Sequence, residues 1–224
     1  MFKLIIASLI VSMPFLSLAQ STTLTVVQPQ INFTIAYSLG MHEGHSETMK
    51  GKIVLGQDDV LQNAIFVVPI SSLKTGNKQR DCHLVEALGL DYKNSTFPEE
   101  HACDKKNNLP PSGPDSVKFG SIVFDFDSFV KAPLTPLRQG KWQSVRINGT
   151  IKIHGVIKKL NNVPVDVLLT RSNKGTHLIR LKSKLSLDLN DFNVEVKAFK
   201  VPLVGIKITV ANKVDVDLDI LMAE

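Results

Sequence analysis

From Val214 to Ile220 the sequence alternates strictly. Val214, Val216, Leu218 and Ile220 fall on one side, and Asp215, Asp217 and Asp219 on the other. Only a β-strand, whose successive side chains point to opposite faces, turns such a row into one dry and one wet surface. The same period recurs through most of the chain. Leu24 to Val27 and Ile31 to Tyr37 come first, separated by Pro29, and Lys50 to Leu55 and Ala64 to Ile70 follow. Ile122, Phe124 and Phe126 alternate with Val123, Asp125 and Asp127; Ile147, Gly149, Ile151 and Ile153 alternate with Asn148, Thr150, Lys152 and His154. Val163, Val165, Val167 and Leu169 form the next apolar row. After it, Ile179, Leu181, Ser183, Leu185 and Leu187 oppose Arg180, Lys182, Lys184, Ser186 and Asp188. Strands with one wet face belong to antiparallel sheets. So many of them in one chain predict an all-β domain, a barrel or a sandwich, and the period alone does not choose between the two.

The stretch from Leu73 to Pro98 interrupts this pattern. Thr75-Gly76-Asn77 supplies turn chemistry, and Leu84, Val85, Leu88 and Leu90 are the apolar residues of a short helix. Tyr92, Phe97 and Pro98 close the segment. Beyond it, Glu99 to Ser116 is a loop by composition, with Lys105-Lys106-Asn107-Asn108 and Pro110-Pro111-Ser112-Gly113-Pro114. Lys197 to Val204, with Pro202, is expected to bend the chain between the last two strands.

These residues also carry a resemblance. Thr75-Gly76-Asn77, Arg80-Asp81, His83-Leu84 and the later Phe97-Pro98 resemble the signature of the YceI-like family. Ile147 to Val156 (INGTIKIHGV) is similar to that family's G-x-L-T-[IL]-x-G-V-T strand, and Asp191-Phe192 stands in its S-x-F-G position. The order fits from about Leu24 to the end of the chain. The resemblance implies an antiparallel, eight-stranded, lipocalin-like barrel with a short capping helix, enclosing a long isoprenoid or similar amphiphile. Two positions depart from the family pattern. Asn193 replaces the Gly after Phe192, and the early His-Ser near Pro29-Gln30 is missing.

Met1 to Ala19 reads as a signal peptide. Lys3 is its only charge, an apolar run follows from Leu4 to about Leu16, and Ser17-Leu18-Ala19 offers a cleavage site. Cleavage after Ala19 would leave residues 20–224 as one YceI-like domain, periplasmic or secreted. The formal charge of +5 falls to +4 when Lys3 is removed. The remaining charges are scattered, and no basic block is interleaved with aromatics, which argues against nucleic-acid binding. A weak contact with an anionic membrane surface fits the sign. Oligomeric state is not legible in the sequence.

Cys82 and Cys103 are the two cysteines. In an exported protein an even count predicts a disulfide; the competing reading is two buried thiols. Catalysis by Cys82 with His83 is disfavoured, because adjacent helical residues point apart.

His42, Glu43, His45 and Glu47 gather in what reads as a solvated hairpin loop. The spacing is not H-E-x-x-H and a loop does not fix ligand geometry, so no metal is expected there or elsewhere. His154 is expected on the exposed, charged face of its strand, and His177 to point inward at a barrel end. Asn32, Asn94 and Asn148 head glycosylation patterns, which matter only in a eukaryotic secretory pathway; the resemblance argues for bacteria.

The expected function is binding, not catalysis, with a lipid as ligand and no cofactor. Leu84 and Leu88 of the helix are predicted to line an apolar tunnel with the rows Ile122/Phe124/Phe126, Ile151/Ile153 and Leu181/Ser183/Leu185/Leu187. Arg80, Asp81 and His83 are candidates for a polar head group, since Arg suits phosphate through paired hydrogen bonds. The protein would transport, store or respond to stress with a polyisoprenoid, an isoprenoid quinone or a similar lipid. The alternatives are a metal-assisted enzyme using His42 and His45, and a structural or stress-response partner with a filled barrel.

Overall fold

The computed structural model describes residues 21–97, 99–101, 103, 116–130, 137–196, 199–200 and 207–224. The signal-peptide reading, most of the 99–116 loop and Pro202 lie outside these residues. The strands are β1 (Thr22–Tyr37), β2 (Gly40–Ser46), β3 (Lys50–Leu55), β4 (Leu61–Pro69), β5 (Ser121–Phe129), β6 (Trp142–Ile153), β7 (Val156–Arg171), β8 (His177–Asp188) and β11 (Val210–Ala223). A small separate ribbon pairs β9 (Phe199–Lys200) with β10 (Lys207–Ile208). The single α-helix among the described residues, α1, spans Lys78–Gly89.

Pairing between these strands is antiparallel. The ring runs β1, β3, β4, β5, β6, β7, β8, β11 and closes from β11 back to β1. β3 pairs with Thr22–Thr25 of β1, and β2 with Ile31–Tyr37. β2 and β3 are therefore two halves of one interrupted strand, and the whole is a closed eight-stranded barrel.

Two strand expectations need correction. Pro29 does not separate two strands; β1 runs through it. Thr25 is the last residue paired with β3 and Ile31 the first paired with β2, so Pro29 lies where that edge has no partner. The register with β11 also shifts between Val26 and Gln28, a bulge. A residue without an N–H is tolerated at such a place. The second correction concerns Met41 to Glu47, which is strand β2 as far as Ser46 and not a loop. The long far half of β1 leaves an edge to be paired, and β2 supplies the partner, with Tyr37 stacked on His42 at 4.0 Å between ring centroids.

Helix α1 starts where the turn chemistry stands. Gly76 takes a φ of +74°, open to glycine without strain. Asn77 is the N-cap, its side chain accepting from the Arg80 N–H at 3.0 Å. Asp81 Oδ1 accepts from the backbone N–H of Thr75 at 2.7 Å and from its hydroxyl at 2.8 Å. The helix buries Cys82, Val85, Glu86, Leu88 and Gly89. A Cβ on Gly89 would stand 2.5 Å from the Ile70 side chain, so the helix lies too close to the chain there for anything larger.

The core divides between the two ends of the barrel. At one end Leu24, Leu55, Leu169, Ile179 and Met222 pack together, none more than 1% exposed. At the other, Val85 and Leu88 of α1 pack on Ile70, Ile151, Ile153, Leu189 and Phe192.

His154 is buried, which corrects the expected exposure. Its φ of 49° and the 76° of Gly155 make the tight left-handed turn joining β6 to β7. The turn aims the ring under the helix, where Nε2 lies 2.7 Å from the Leu90 carbonyl and Nδ1 3.3 Å from that of Phe192. Asn193 has a φ of 54°. That is the left-handed conformation, which glycine adopts freely and asparagine tolerates, so Asn193 suits this position. His177 sits at the tightly packed end, between Asp59 Oδ1 at 3.1 Å and Glu224 Oε2 at 3.0 Å.

Candidate functional site: an apolar cavity with a polar mouth

The inward rows do not meet in the middle of the barrel. They enclose a cavity of about 960 Å³. Its walls include Ile122, Phe124 and Phe126 of β5, Ile151 and Ile153 of β6, Leu181, Ser183, Leu185 and Leu187 of β8, and Leu84 and Leu88 of α1. Val163, Val165 and Val167 of β7 and Val214, Val216, Leu218 and Ile220 of β11 complete much of the circumference. Ser183 keeps the wall apolar despite its hydroxyl, which donates to the Pro164 carbonyl at 2.8 Å.

The polar residues of the cavity collect at the helix end: His42, Thr75, Asn77, Gln79, Arg80, His83, His101 and Glu195. Arg80 Nη1 donates to His42 Nδ1 at 2.6 Å. Burial and then the Arg80 charge push the His42 pKa below its usual range, which favours the neutral ring that can accept this bond. Arg80 Nε is buried and has no acceptor among the described residues. Of the three head-group candidates, Arg80 and His83 reach the cavity wall. Asp81 does not: it is held by Thr75 and serves the start of the helix.

Cys82 and Cys103 form a disulfide with 6.0 Å between Cα atoms, tying α1 to the segment after it. That segment completes an arrangement absent from the sequence reading. Glu86 is 0% exposed. Its Oε2 lies 2.7 Å from His83 Nδ1 and 2.9 Å from His101 Nδ1, while Oε1 accepts the Cys103 N–H at 2.8 Å. Burial pushes the Glu86 carboxyl up, but the hydrogen bonds from His83, His101 and Cys103 outweigh it and hold the group below the usual carboxylate range. One signal could have found Glu86. It follows Cys82 by four residues and His83 by three, which puts it on the same helix face as both.

His42 and His45 do not form a pair. They lie three apart in β2, so their side chains project to opposite faces.

A closed antiparallel barrel, capped by one helix and hollow around an apolar cavity, defines the class of lipocalin-like barrels. The sequence matches the YceI-like domain over residues 23–222, and the chain belongs to that family. The motifs at 75–84 and 147–156 are the helix start and the β6–β7 turn just described. Among solved structures, a polyisoprenoid-binding domain from Saccharophagus degradans superposes with a TM-score of 0.57 at 14% identity, covering 89% of this chain and 97% of that one. BcnA from Burkholderia cenocepacia gives a TM-score of 0.53 at 14% identity, with 86% and 95% covered. The Campylobacter jejuni YceI protein gives 0.54 at 13% identity, with 82% and 85% covered. No curated protein matches the sequence.

Proposed function

We propose that this protein is an exported lipid-binding protein whose barrel encloses one long-chain amphiphile, a polyisoprenoid, an isoprenoid quinone or a similar lipid. The observation that carries the reading is the cavity. Its 960 Å³ stands near the top of the about 300–1,000 Å³ common for small-molecule sites, and its walls are apolar. Membership of the YceI-like family and the likeness to a polyisoprenoid-binding domain support the same ligand class. Binding needs no catalytic constellation, and no enzymatic step is proposed.

The energetics favour length over sequence-like recognition. Burying hydrocarbon is worth about 0.8 kcal/mol per CH2, so a chain of about eight isoprene units would gain roughly 30 kcal/mol. Non-covalent affinities level off near roughly 20 kcal/mol, so ordering and strain must offset much of that gain. Many chain lengths would bind tightly, and the depth of the cavity and its mouth must select among them. At the mouth the unmatched Arg80 Nε–H and the neighbouring His83 suit an oxygen-bearing head group.

Organic extraction and mass spectrometry of the untagged protein, purified from the periplasm or medium, test this. The expected result is about one lipid per chain, on a polypeptide that begins at Gln20. Ser183→Phe should fold normally and lose the lipid by filling the cavity. A native protein without lipid, or a folded Ser183→Phe protein that retains the same lipid in the same amount, would refute the reading.

A further inference from the structure

The Glu86 cluster is more than an internal salt bridge. Two imidazoles approach the same carboxylate oxygen, His83 Nδ1 at 2.7 Å and His101 Nδ1 at 2.9 Å. The three ligand-capable atoms lie within 4.8 Å of one another. The carboxylate has no Lys or Arg partner among the described residues. The groups that face it are the two histidines and the Cys103 N–H. From those groups and this geometry we infer that His83, Glu86 and His101 form a binding site for a divalent transition-metal ion such as Zn²⁺.

Three observations fit such an ion. The donor set is two imidazole nitrogens and one carboxylate oxygen, a combination that holds zinc with one position left open. Tetrahedral zinc with bonds of about 2.0–2.2 Å sets its ligand atoms roughly 3.3 Å apart. Opening the present 2.7 and 2.9 Å contacts by about half an ångström therefore admits the ion. The side chains that must give way can do so, being 33% exposed at His83 and 45% at His101. Glu86 stays fixed, because the Cys103 N–H holds its other oxygen and the disulfide holds Cys103.

On binding, each imidazole presents the Nδ1 lone pair and carries its remaining proton on Nε2. The ion then replaces the two N–H donors around Oε2, and any displaced proton goes to solvent. His83 and His101 also stand in the cavity wall, so the site borders the cavity. The inference does not depend on what the cavity holds, because the ion is bound by protein groups alone.

Zinc is the probe. The full chain with its disulfide intact is stripped with chelator and titrated calorimetrically with Zn²⁺, and with Co²⁺ to read tetrahedral geometry in the visible spectrum. The expected result is one saturable equivalent of either ion, with an intense tetrahedral Co²⁺ spectrum. His83→Ala/His101→Ala should lose it, and His42→Ala/His45→Ala should keep it. Removing His83 and His101 together leaves a buried carboxylate unpaired, so His101→Gln at the most exposed ligand guards against a folding defect. That variant should melt like the native protein and bind Zn²⁺ more than about a hundredfold weaker, exceeding the loss of an outer-shell partner. No saturable uptake by the native protein, or uptake unchanged in a folded His101→Gln protein, overturns the site.

Discussion

The two ends of this barrel are built from opposite materials. At one end Leu24, Leu55, Leu169, Ile179 and Met222 pack against one another with almost no exposure. At the other, a helix, a disulfide and the polar groups of His42, Arg80, His83 and His101 border the cavity, with Glu86 buried behind the two histidines His83 and His101. Between them the strand interiors face empty space. Packed apolar contacts stabilise a fold without specifying what it binds, whereas a half-satisfied polar mouth over a hollow is suited to select a ligand. The difference predicts that stability resides at the packed end and selectivity at the helix end.

The largest effect should come from breaking the packed end. Leu169→Ala removes a side chain that is 0% exposed and leaves a void among close neighbours. It is expected to destabilise by about 2–5 kcal/mol. Leu185→Ala removes the same atoms from the cavity wall, where one side already has no partner. Its cost should stay within about 1 kcal/mol. Urea denaturation of delipidated protein measures both. Equal losses would mean that the two regions do not differ as described.

The disulfide comes next. Its partners are 21 residues apart in sequence. In the chain-entropy account a loop of that size is worth about 3 kcal/mol of stability. Reduction, or Cys82→Ser/Cys103→Ser, should lower the denaturation midpoint accordingly and loosen the mouth before the packed end. Hydrogen exchange that quickens in the β7 and β8 amides near Leu169 and Ile179 as much as in α1 would contradict this.

The strand rows are legible in the sequence because alternation is a local property, whereas the packing of one end is not. Val214 to Ile220 states which side faces in, whatever closes the ring. All the residues expected to line the tunnel, from Leu84 to Leu187, stand in the cavity wall; whether they touch a lipid is for the extraction experiment. The mouth was harder to read. Glu86 looks like an ordinary helix-surface glutamate until His101 and Cys103, fifteen and seventeen residues later, fold back onto it. His154 sits in the alternating row of a charged strand face, yet the turn it shares with Gly155 redirects its ring beneath the helix. β2 reads as a loop because its His and Glu residues resemble solvated hairpin chemistry, while the edge of β1 that demands a partner is visible only in three dimensions. Non-local closure decided Glu86 and β2, and no window of neighbouring residues contains it; at His154 a local turn overrode the alternation.

A smaller effect sharpens the comparison through pH. Tyr92 packs its ring on His154 and Phe97 at the helix end. Its hydroxyl donates to the Ala87 carbonyl at 2.5 Å and accepts the Glu195 N–H at 3.1 Å. Burial pushes its pKa up to about 12; the Glu195 N–H bond opposes this and the Glu195 charge adds to it. An unfolded tyrosine ionises near 10. The folded state therefore holds the proton where the unfolded state has lost it. The resulting stability is fully present below about pH 10 and is lost as pH rises through about 12. Two pKa units at about 1.4 kcal/mol each bound the loss at about 3 kcal/mol, and solvent reaching the half-buried ring brings it below that bound. A phenolate absorbance titration should show a late step near pH 12 that Tyr92→Phe abolishes. Denaturation midpoints of the native protein should fall across the same interval more steeply than those of Tyr92→Phe. If the late phenolate step survives in Tyr92→Phe, the Tyr92 hydroxyl is not buried at the helix end. If the two proteins lose stability in parallel, alkaline unfolding begins elsewhere, and the polar end is not the part of the barrel that responds to pH.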